Sequence, residues 1–310
     1  MSIKVGITHI ATAYTEDPAI FARKAEEAGF ESVWVGEHTV VPASFAAHYP
    51  ATSDGSAPGF VAHVCDPFVS LSRAASATRR IRLGTSVCLV PEHNLFALTK
   101  QVATLDHYSE GRVLFGVGVG WLKEEGEIAG NWPARYALLG EMVRAMKELW
   151  TKEVAEFHGE LIDFPPVCSM PHPKQKPHPP VLVGGGVASL NRVVAYGDGW
   201  CPGFLRPEEL RGALQTLRER MSAAGRDFDQ LDITVMVGVS ERSPIRDILE
   251  RYEAAGAGRV VLCVNRPGTP DEVSDFQLVM PGEADAFLDR LATQIFRGAS
   301  LSASSSHRPR

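Results

Sequence analysis

The feature that most restricts the fold of this chain is a regular alternation of short apolar segments with amphipathic helical patterns. Most of these segments are apolar at successive positions, which is typical of parallel strands buried on both faces. Eight such segments, each followed by a helical pattern, lie at residues 3–8, 32–36, 80–89, 112–119, 180–185, 198–202, 232–239 and 259–264. Eight strand–helix units in about 295 residues predict a closed (β/α)₈ barrel (a TIM barrel) in preference to an open doubly wound sheet.

Two segments interrupt this alternation. Residues 39–64, after the second strand, form a long connection, and such loops on a barrel are predicted to help form the pocket. Residues 164–180, before the fifth strand, carry seven prolines and cannot be helical. We predict a stiff connector there, in preference to a metal site built from Cys168, His172 and His178. Residues 1–298 are predicted to form one domain, followed by a disordered tail at 299–310.

The composition narrows the classes of partner. The chain has 31 Lys and Arg against 37 Asp and Glu, a net charge of −6, which argues against nucleic acid or an anionic membrane as the main partner. No run of 18 apolar residues is present, so no membrane span is expected. The five cysteines are scattered, without C-x-x-C spacing, which favours a reducing, cytoplasmic environment.

The ends of the predicted strands are rich in glycine and poor in reactive groups. In VLFGVGVGW, residues 113–121, glycine recurs at 116, 118 and 120. A dinucleotide-binding G-x-G-x-x-G loop would need glycine where Trp121 stands. Together with Gly184–Gly186, these bare positions predict a broad, flat ligand such as an organic cofactor, with its phosphate near the helix after Gly186. The alternative is that these glycines only serve packing at the rim of the barrel.

Several motifs together carry a family resemblance: VWVGEH, RIRLGTSV, TLDHYSEGRVLFGVGVGW, FHGE, PPVLVGGG and GDGW, all within residues 3–265. They resemble the luciferase-like monooxygenase superfamily, and within it the oxidoreductases that use the deazaflavin coenzyme F420. The resemblance implies a (β/α)₈ barrel that binds F420, or alternatively FMN, and forms a homodimer. It also implies a non-prolyl cis peptide between Ser86 and Val87. Some relatives have a glutamate proton donor at the position of Trp121.

The predicted site residues follow from the strand ends and this resemblance. The cofactor-binding residues are predicted to be Thr85, Ser86, Val87, Gly118, Val119, Gly120, Trp121, Gly184, Gly185 and Gly186. Arg192, on the helix after Gly186, is a candidate contact for the acidic tail of F420. No metal ligand is predicted.

His38 is the predicted catalytic residue, because an imidazole at a strand end can exchange protons near neutral pH. His9 and His93 are the alternatives, Glu37 is expected to be tied up in structure, and Glu124 is expected to be a carboxylate at a helix start. The predicted reaction moves a hydride between F420 and a small organic substrate. The alternatives are an FMN-dependent monooxygenase and a barrel that binds a flavin or phosphometabolite without redox turnover.

Overall fold

The strands form a closed parallel barrel, as predicted. The computed structural model describes residues 2–46, 48–49, 55–130, 132–240, 242–266 and 276–297. The strands are β1 (Lys4–Thr8), β2 (Ser32–Val35), β3 (Arg82–Thr85), β4 (Cys88–Leu89), β5 (Val113–Gly118), β6 (Ala155–His158), β7 (Asp163–Val167), β8 (Val181–Gly184), β9 (Gly199–Cys201), β10 (Asp232–Val239) and β11 (Arg259–Val264). The pairing of β3 with β5 closes the ring of eight strands, and β4 extends the third barrel strand after an interruption at 86–87.

Helices surround the barrel and follow the strands in the predicted order. They are α1 (Pro18–Ala28), α2 (Pro67–Ala77), α3 (Leu95–Tyr108), α4 (Lys123–Ile128), α5 (Arg135–Thr151), α6 (Leu190–Tyr196), α7 (Pro207–Ala223), α8 (Ile245–Ala255) and α9 (Ala284–Ala292). The Asp17 side chain accepts from the Ala19 N–H at the start of α1, and Gly29 ends that helix at φ +99°. A side-chain oxygen satisfies a free N–H at the start of the helix, and glycine tolerates the left-handed turn at its end. None of the described helices is long and apolar enough to cross a bilayer.

The interior of the barrel is filled by side chains from five of its strands, around Trp34. Trp34, Leu114 and Leu182 are fully buried there, with Cys201 and Val261. A Cβ on Gly84 would lie 2.3 Å from the Trp34 ring. The glycine of the third strand therefore makes room for the indole of the second, which is a packing role.

A β-hairpin that the sequence analysis missed ends inside the proline-rich region. Strands β6 and β7 pair antiparallel, and β7 includes Pro165 and Pro166. A two-stranded ribbon has free edges, and proline is tolerated at an edge because it needs no ladder donor there. The Glu141 carboxylate accepts from the backbone N–H groups of the turn at residues 160–162. These contacts fix the hairpin on α5. The predicted tail at 299–310 lies outside the described residues.

A buried arginine links two barrel strands to the residue that precedes a third. Arg259 has no exposed surface; its guanidinium donates to both carboxylate oxygens of Glu31, to both of Asp232 and to the Thr234 hydroxyl, at 2.6–3.0 Å. Burial alone would raise the pKa of Asp232, but the Arg259 charge outweighs it, so this pKa is lowered. Asp232 therefore contributes stability at neutral pH that is lost as the pH falls through its lowered pKa.

We predict that Arg259→Ala lowers the free energy of unfolding by about 3 to 5 kcal/mol, because it leaves two carboxylates without their cation. Urea denaturation at pH 7 measures this. The matched control is Arg218→Ala, which removes an exposed pair with Asp229 and should cost less than about 1 kcal/mol. Equal losses for the two variants would show that the buried cluster does not stabilise the barrel.

Candidate functional site

A cavity of about 610 Å³ opens at the carboxyl ends of the barrel strands. Its lining includes the last residues of β1, β5, β8 and β9, which are Thr8, Gly118, Gly184 and Cys201. The long segment after β2 also contributes, through Tyr49, Phe60, Val61 and Val64, as its length predicted. Of the ten residues predicted to bind the cofactor, nine line this cavity: Ser86, Val87, Gly118, Val119, Gly120, Trp121, Gly184, Gly185 and Gly186. Thr85 is not part of the lining, and its hydroxyl donates to the Gly116 carbonyl at 2.7 Å.

The peptide bond between Ser86 and Val87 is cis, as the family resemblance implied. The Val87 side chain lies between the ends of β5 and β8, where Gly118 and Gly184 carry no side chain. A Cβ on Gly118 would lie 2.4 Å from Val87 Cγ2, and one on Gly184 would lie 2.7 Å from Val87 Cγ1. A Cβ on Gly116 would lie 2.0 Å from the Thr85 carbonyl oxygen.

These contacts correct the reason given for the glycines. We expected their missing side chains to leave space for a flat ligand, but that space is filled by the third strand. Gly116, Gly118 and Gly184 are required by packing against residues 85–87, and Val87 itself lines the cavity.

The turn after β8 combines bare backbone with a cation. Gly185 has φ +105°, which favours glycine, and a Cβ on Gly186 would meet nothing within 4 Å. The Arg192 guanidinium lies 4.4 Å from the centre of the Tyr136 ring, and both residues line the cavity. The arrangement can hold an anion against the backbone and the guanidinium.

His38 lines the cavity with both ring nitrogens hydrogen-bonded. Its Nδ1 lies 2.7 Å from Glu125 Oε2, and its Nε2 lies 3.2 Å from the Trp121 indole nitrogen. An indole N–H only donates. Nε2 is therefore the acceptor and carries no proton, while Nδ1–H donates to the carboxylate. The imidazole is held as one neutral tautomer, and a ligand that donates to Nε2 must displace the Trp121 N–H.

Glu125 is the functional-site residue that the sequence analysis missed. Its side chain is completely buried, and besides His38 it accepts from the backbone N–H groups of Thr39 and Val40. Glu124, which was singled out instead, does lie in the first turn of α4, and it accepts from the Ala46 N–H. The signal that could have found Glu125 is a glutamate four residues after Trp121, on the helix that follows a cavity-lining strand.

Three other titratable groups of the cavity, His9, Cys201 and Cys263, have pKa values that burial moves away from neutrality. Burial lowers the pKa of His9 to about 4, and its Nε2–H donates to the Glu16 carbonyl while the ring stacks on Phe21. Burial raises the pKa values of the Cys201 and Cys263 thiols to about 12. None of these three groups can exchange a proton near neutral pH.

Glu37, which also lines the cavity, is paired with the half-buried His93. Glu37 accepts from the Leu89 N–H at 2.6 Å and from His93 Nε2 at 2.8 Å. Burial opposes the charge of His93, but these contacts with Glu37 outweigh it and raise the pKa of the imidazole. Cys88 lies within 4.8 Å of both, and burial raises the pKa of its thiol. His93 is absent from the cavity lining, and the pair supports the segment that follows β3.

Comparison with known proteins identifies the family. The model of the luciferase-like monooxygenase family matches residues 8–276. The chain therefore belongs to the luciferase-like monooxygenase family. One relative is the uncharacterized protein Rv0953c of Mycobacterium tuberculosis, 37% identical over 282 residues that cover 90% of this chain and 93% of the relative. Another is the F420-dependent glucose-6-phosphate dehydrogenase of Kineococcus radiotolerans, 31% identical over 72% of this chain and 63% of its own length.

Solved structures of other proteins share the fold. An F420-dependent secondary alcohol dehydrogenase in complex with an F420-acetone adduct superposes with a TM-score of 0.71, at 19% identity, over 95% of this chain and 98% of that one. The monooxygenase RslO1 from Streptomyces bottropensis superposes with a TM-score of 0.68, at 22% identity, over 95% and 99%. The luciferase-like barrel is thus shared with both an F420-dependent enzyme and a monooxygenase.

A second buried carboxylate close to Glu125 makes stability depend on pH. Burial, followed by the Glu125 charge, raises the pKa of Glu92 to about 7. A raised carboxyl pKa stabilises the folded state at low pH, and this contribution is lost as the pH rises through about 7.

We predict that Glu92→Gln flattens the fall in unfolding free energy between pH 5.5 and pH 8. The difference in unfolding free energy between variant and parent should change by up to about 2 kcal/mol, since about 1.5 pH units of this window lie below the raised pKa and one unit corresponds to about 1.4 kcal/mol. Urea denaturation at both pH values measures it. The control is Glu127→Gln on the exposed side of α4. Parallel pH profiles for the parent and Glu92→Gln would contradict the prediction.

Proposed function

We propose that this protein is an F420-dependent oxidoreductase that moves a hydride between the deazaflavin and a small organic substrate, with His38 exchanging the accompanying proton. The observation that carries the proposal is the buried Glu125–His38 pair, which presents an unprotonated Nε2 to the cavity. The named F420-dependent relative at 31% identity supports the choice of cofactor. The compartment and the homodimeric state suggested by the sequence are part of this proposal.

The residues of the cavity fit a deazaflavin. Val87, packed between Gly118 and Gly184, gives a surface without polar side chains against which a flat ring can rest. Arg192 and the open backbone at Gly186 supply a cation and free space for a phosphate. When bound, F420 accepts or supplies a hydride at C5 of its ring.

The protein supplies the proton transfer. For a hydroxyl substrate, the O–H group donates to His38 Nε2 in place of the Trp121 N–H, and Nε2 takes the proton. Glu125 accepts from Nδ1–H, which orients the ring and stabilises the imidazolium that results. In the reverse direction the imidazolium returns the proton to a carbonyl oxygen. The neighbouring thiols and His9 cannot substitute, since each is held in one protonation state.

We predict that F420 binds to the purified protein much more tightly than FMN. Arg192 can pair with the acidic groups of the deazaflavin tail, which FMN lacks beyond its phosphate. Side-by-side fluorescence titrations measure both affinities, with Arg192→Gln as the matched variant. F420 affinity should fall by roughly tenfold in this variant, about 1.4 kcal/mol. FMN binding at least as tightly as F420 would replace the proposal by an FMN-dependent monooxygenase.

We predict that His38→Ala lowers kcat by roughly a hundredfold to ten-thousandfold, the usual effect of a positioned acid or base. The dissociation constant of F420 should change little. The control is His158→Ala, which removes an exposed histidine on β6. Stopped-flow absorbance of the cofactor measures hydride transfer directly.

Glu125 acts through His38, so its variant has a different signature. Glu125→Gln should lower kcat by about 10- to 100-fold and shift the pH profile of kcat, because the ionised partner of the imidazole is lost. Full turnover in His38→Ala, or an unshifted pH profile in Glu125→Gln, would assign the pair a structural role only.

A further inference from the structure

Aromatic side chains from three loops form one wall of the cavity. Phe60 comes from the segment after β2, Phe204 from the loop after β9, and Phe276 from the segment after β11. The Phe276 ring centre lies 6.0 Å from that of Phe60 and 6.3 Å from that of Phe204, the latter pair being stacked. Backbone contacts fix two of these residues: the Phe204 N–H donates to the Met236 carbonyl, and Phe276 bridges Asn265.

A second aromatic group lies around His38. The Trp121 ring centre lies 5.6 Å from that of His38 and 5.0 Å from that of Tyr49, in edge-on arrangements. Burial raises the pKa of the Tyr49 phenol, so it stays neutral at all working pH values. With Met236, these rings give the cavity broad apolar surfaces. Among them, His38 Nε2 is a polar atom that can accept from a ligand in place of the Trp121 N–H.

Positive charge is scarce among the described residues of the lining. Arg192 is the permanent cation among them, and it lies beside the turn at Gly185 and over Tyr136. In the proposed function this guanidinium serves the phosphate of the cofactor. Glu37 is a lining carboxylate and is already paired with His93. A phosphorylated substrate would therefore lose its hydration without gaining a cation, which is costly in an apolar site.

We infer that the substrate is an uncharged, largely apolar alcohol or carbonyl compound, and not a phosphorylated sugar of the kind named for the relative from Kineococcus. This inference rests on the proposed function. In the oxidative direction the carbinol C–H bond breaks and its electron pair leaves as the hydride that reduces bound F420. The O–H proton passes to His38 Nε2, and the C=O bond forms. The aromatic walls hold the carbon skeleton, and the oxygen is the one atom that needs a polar partner.

The test compares ligands that differ in charge. The F420-loaded protein is titrated by calorimetry with cyclohexanol, with 4-hydroxycyclohexanecarboxylate and with glucose 6-phosphate, and turnover of each is followed by cofactor absorbance. Cyclohexanol should bind at least tenfold more tightly than the carboxylate, and glucose 6-phosphate should give no turnover. Tighter binding of either anion, or turnover of glucose 6-phosphate, would overturn the substrate class.

The same titration separates this inference from the proposed function. If F420 itself fails to bind, the proposed function is wrong, and the ligands are compared in the FMN-loaded protein. There too the neutral ligand must bind more tightly, or the inference about the substrate fails. If F420 binds and the anions are preferred, only the substrate class is wrong.

A charge placed in the wall gives a second test. Met236→Lys introduces a cation at a half-buried lining position, and Met170→Lys is the matched control on an exposed loop. In Met236→Lys the preference should reverse, with cyclohexanol about tenfold weaker and the carboxylate tighter than in the parent. The control should keep the parent preference. If Met236→Lys does not fold, Phe60→Lys makes the same test from the loop, and an unchanged preference in a folded variant would contradict the inference.

Discussion

The arrangement of the site depends on one buried carboxylate. Glu125 has no exposed surface, and its two oxygens accept from the His38 imidazole and from the backbone N–H groups of Thr39 and Val40. A buried carboxylate is tolerable only when such donors replace its hydration. The bonds therefore tie the segment after β2 to α4 and fix the imidazole at the same time. The same carboxylate therefore orients the proposed proton carrier and determines the path of the loop over the cavity.

The floor of the cavity depends on a second contact, between the third strand and its neighbours. The Val87 side chain occupies the space that side chains at 118 and 184 would need. Packing of the third barrel strand therefore requires glycine at the ends of the fourth and fifth. A ligand in the cavity would contact the Val87 side chain and the backbone of these glycines. This reconciles the two explanations of the glycines, since packing among the strands produces the flat surface that a ring can use.

Much of the fold followed from local rules in the sequence. Asp17, Pro18 and Gly29 bound α1 through ordinary capping rules, and the apolar runs predicted the eight barrel strands because parallel strands are buried on both faces. The hairpin β6–β7 could not be predicted in this way, because prolines in it argue against an ordinary strand. It is fixed by Glu141, which lies about twenty residues earlier on α5. The local sequence pattern of the hairpin contains no information about a contact with a residue on another element.

The residues of the candidate site also include some that short motifs predict and some that they do not. His38 was predicted from its position at a strand end, and Ser86 and Val87 were predicted from the family resemblance. Both predictions were possible because short sequence motifs carry these signals. Glu125 is more than 80 residues from His38 in sequence, and no spacing rule connects them. The same holds for the meeting of Phe60, Phe204 and Phe276.

The chemistry of the cavity is specific because most of its polar groups are already committed. His9 is neutral and bonded to a backbone carbonyl, the thiols stay protonated, and Glu37 is paired with His93. A ligand that enters the cavity therefore meets Arg192 as a cation and His38 Nε2 as an acceptor. These two groups have different neighbours, Tyr136 for Arg192 and Trp121 for His38. An apolar environment strengthens each of these two interactions. The proposed anionic cofactor and the proposed proton transfer therefore depend on different residues, Arg192 and His38.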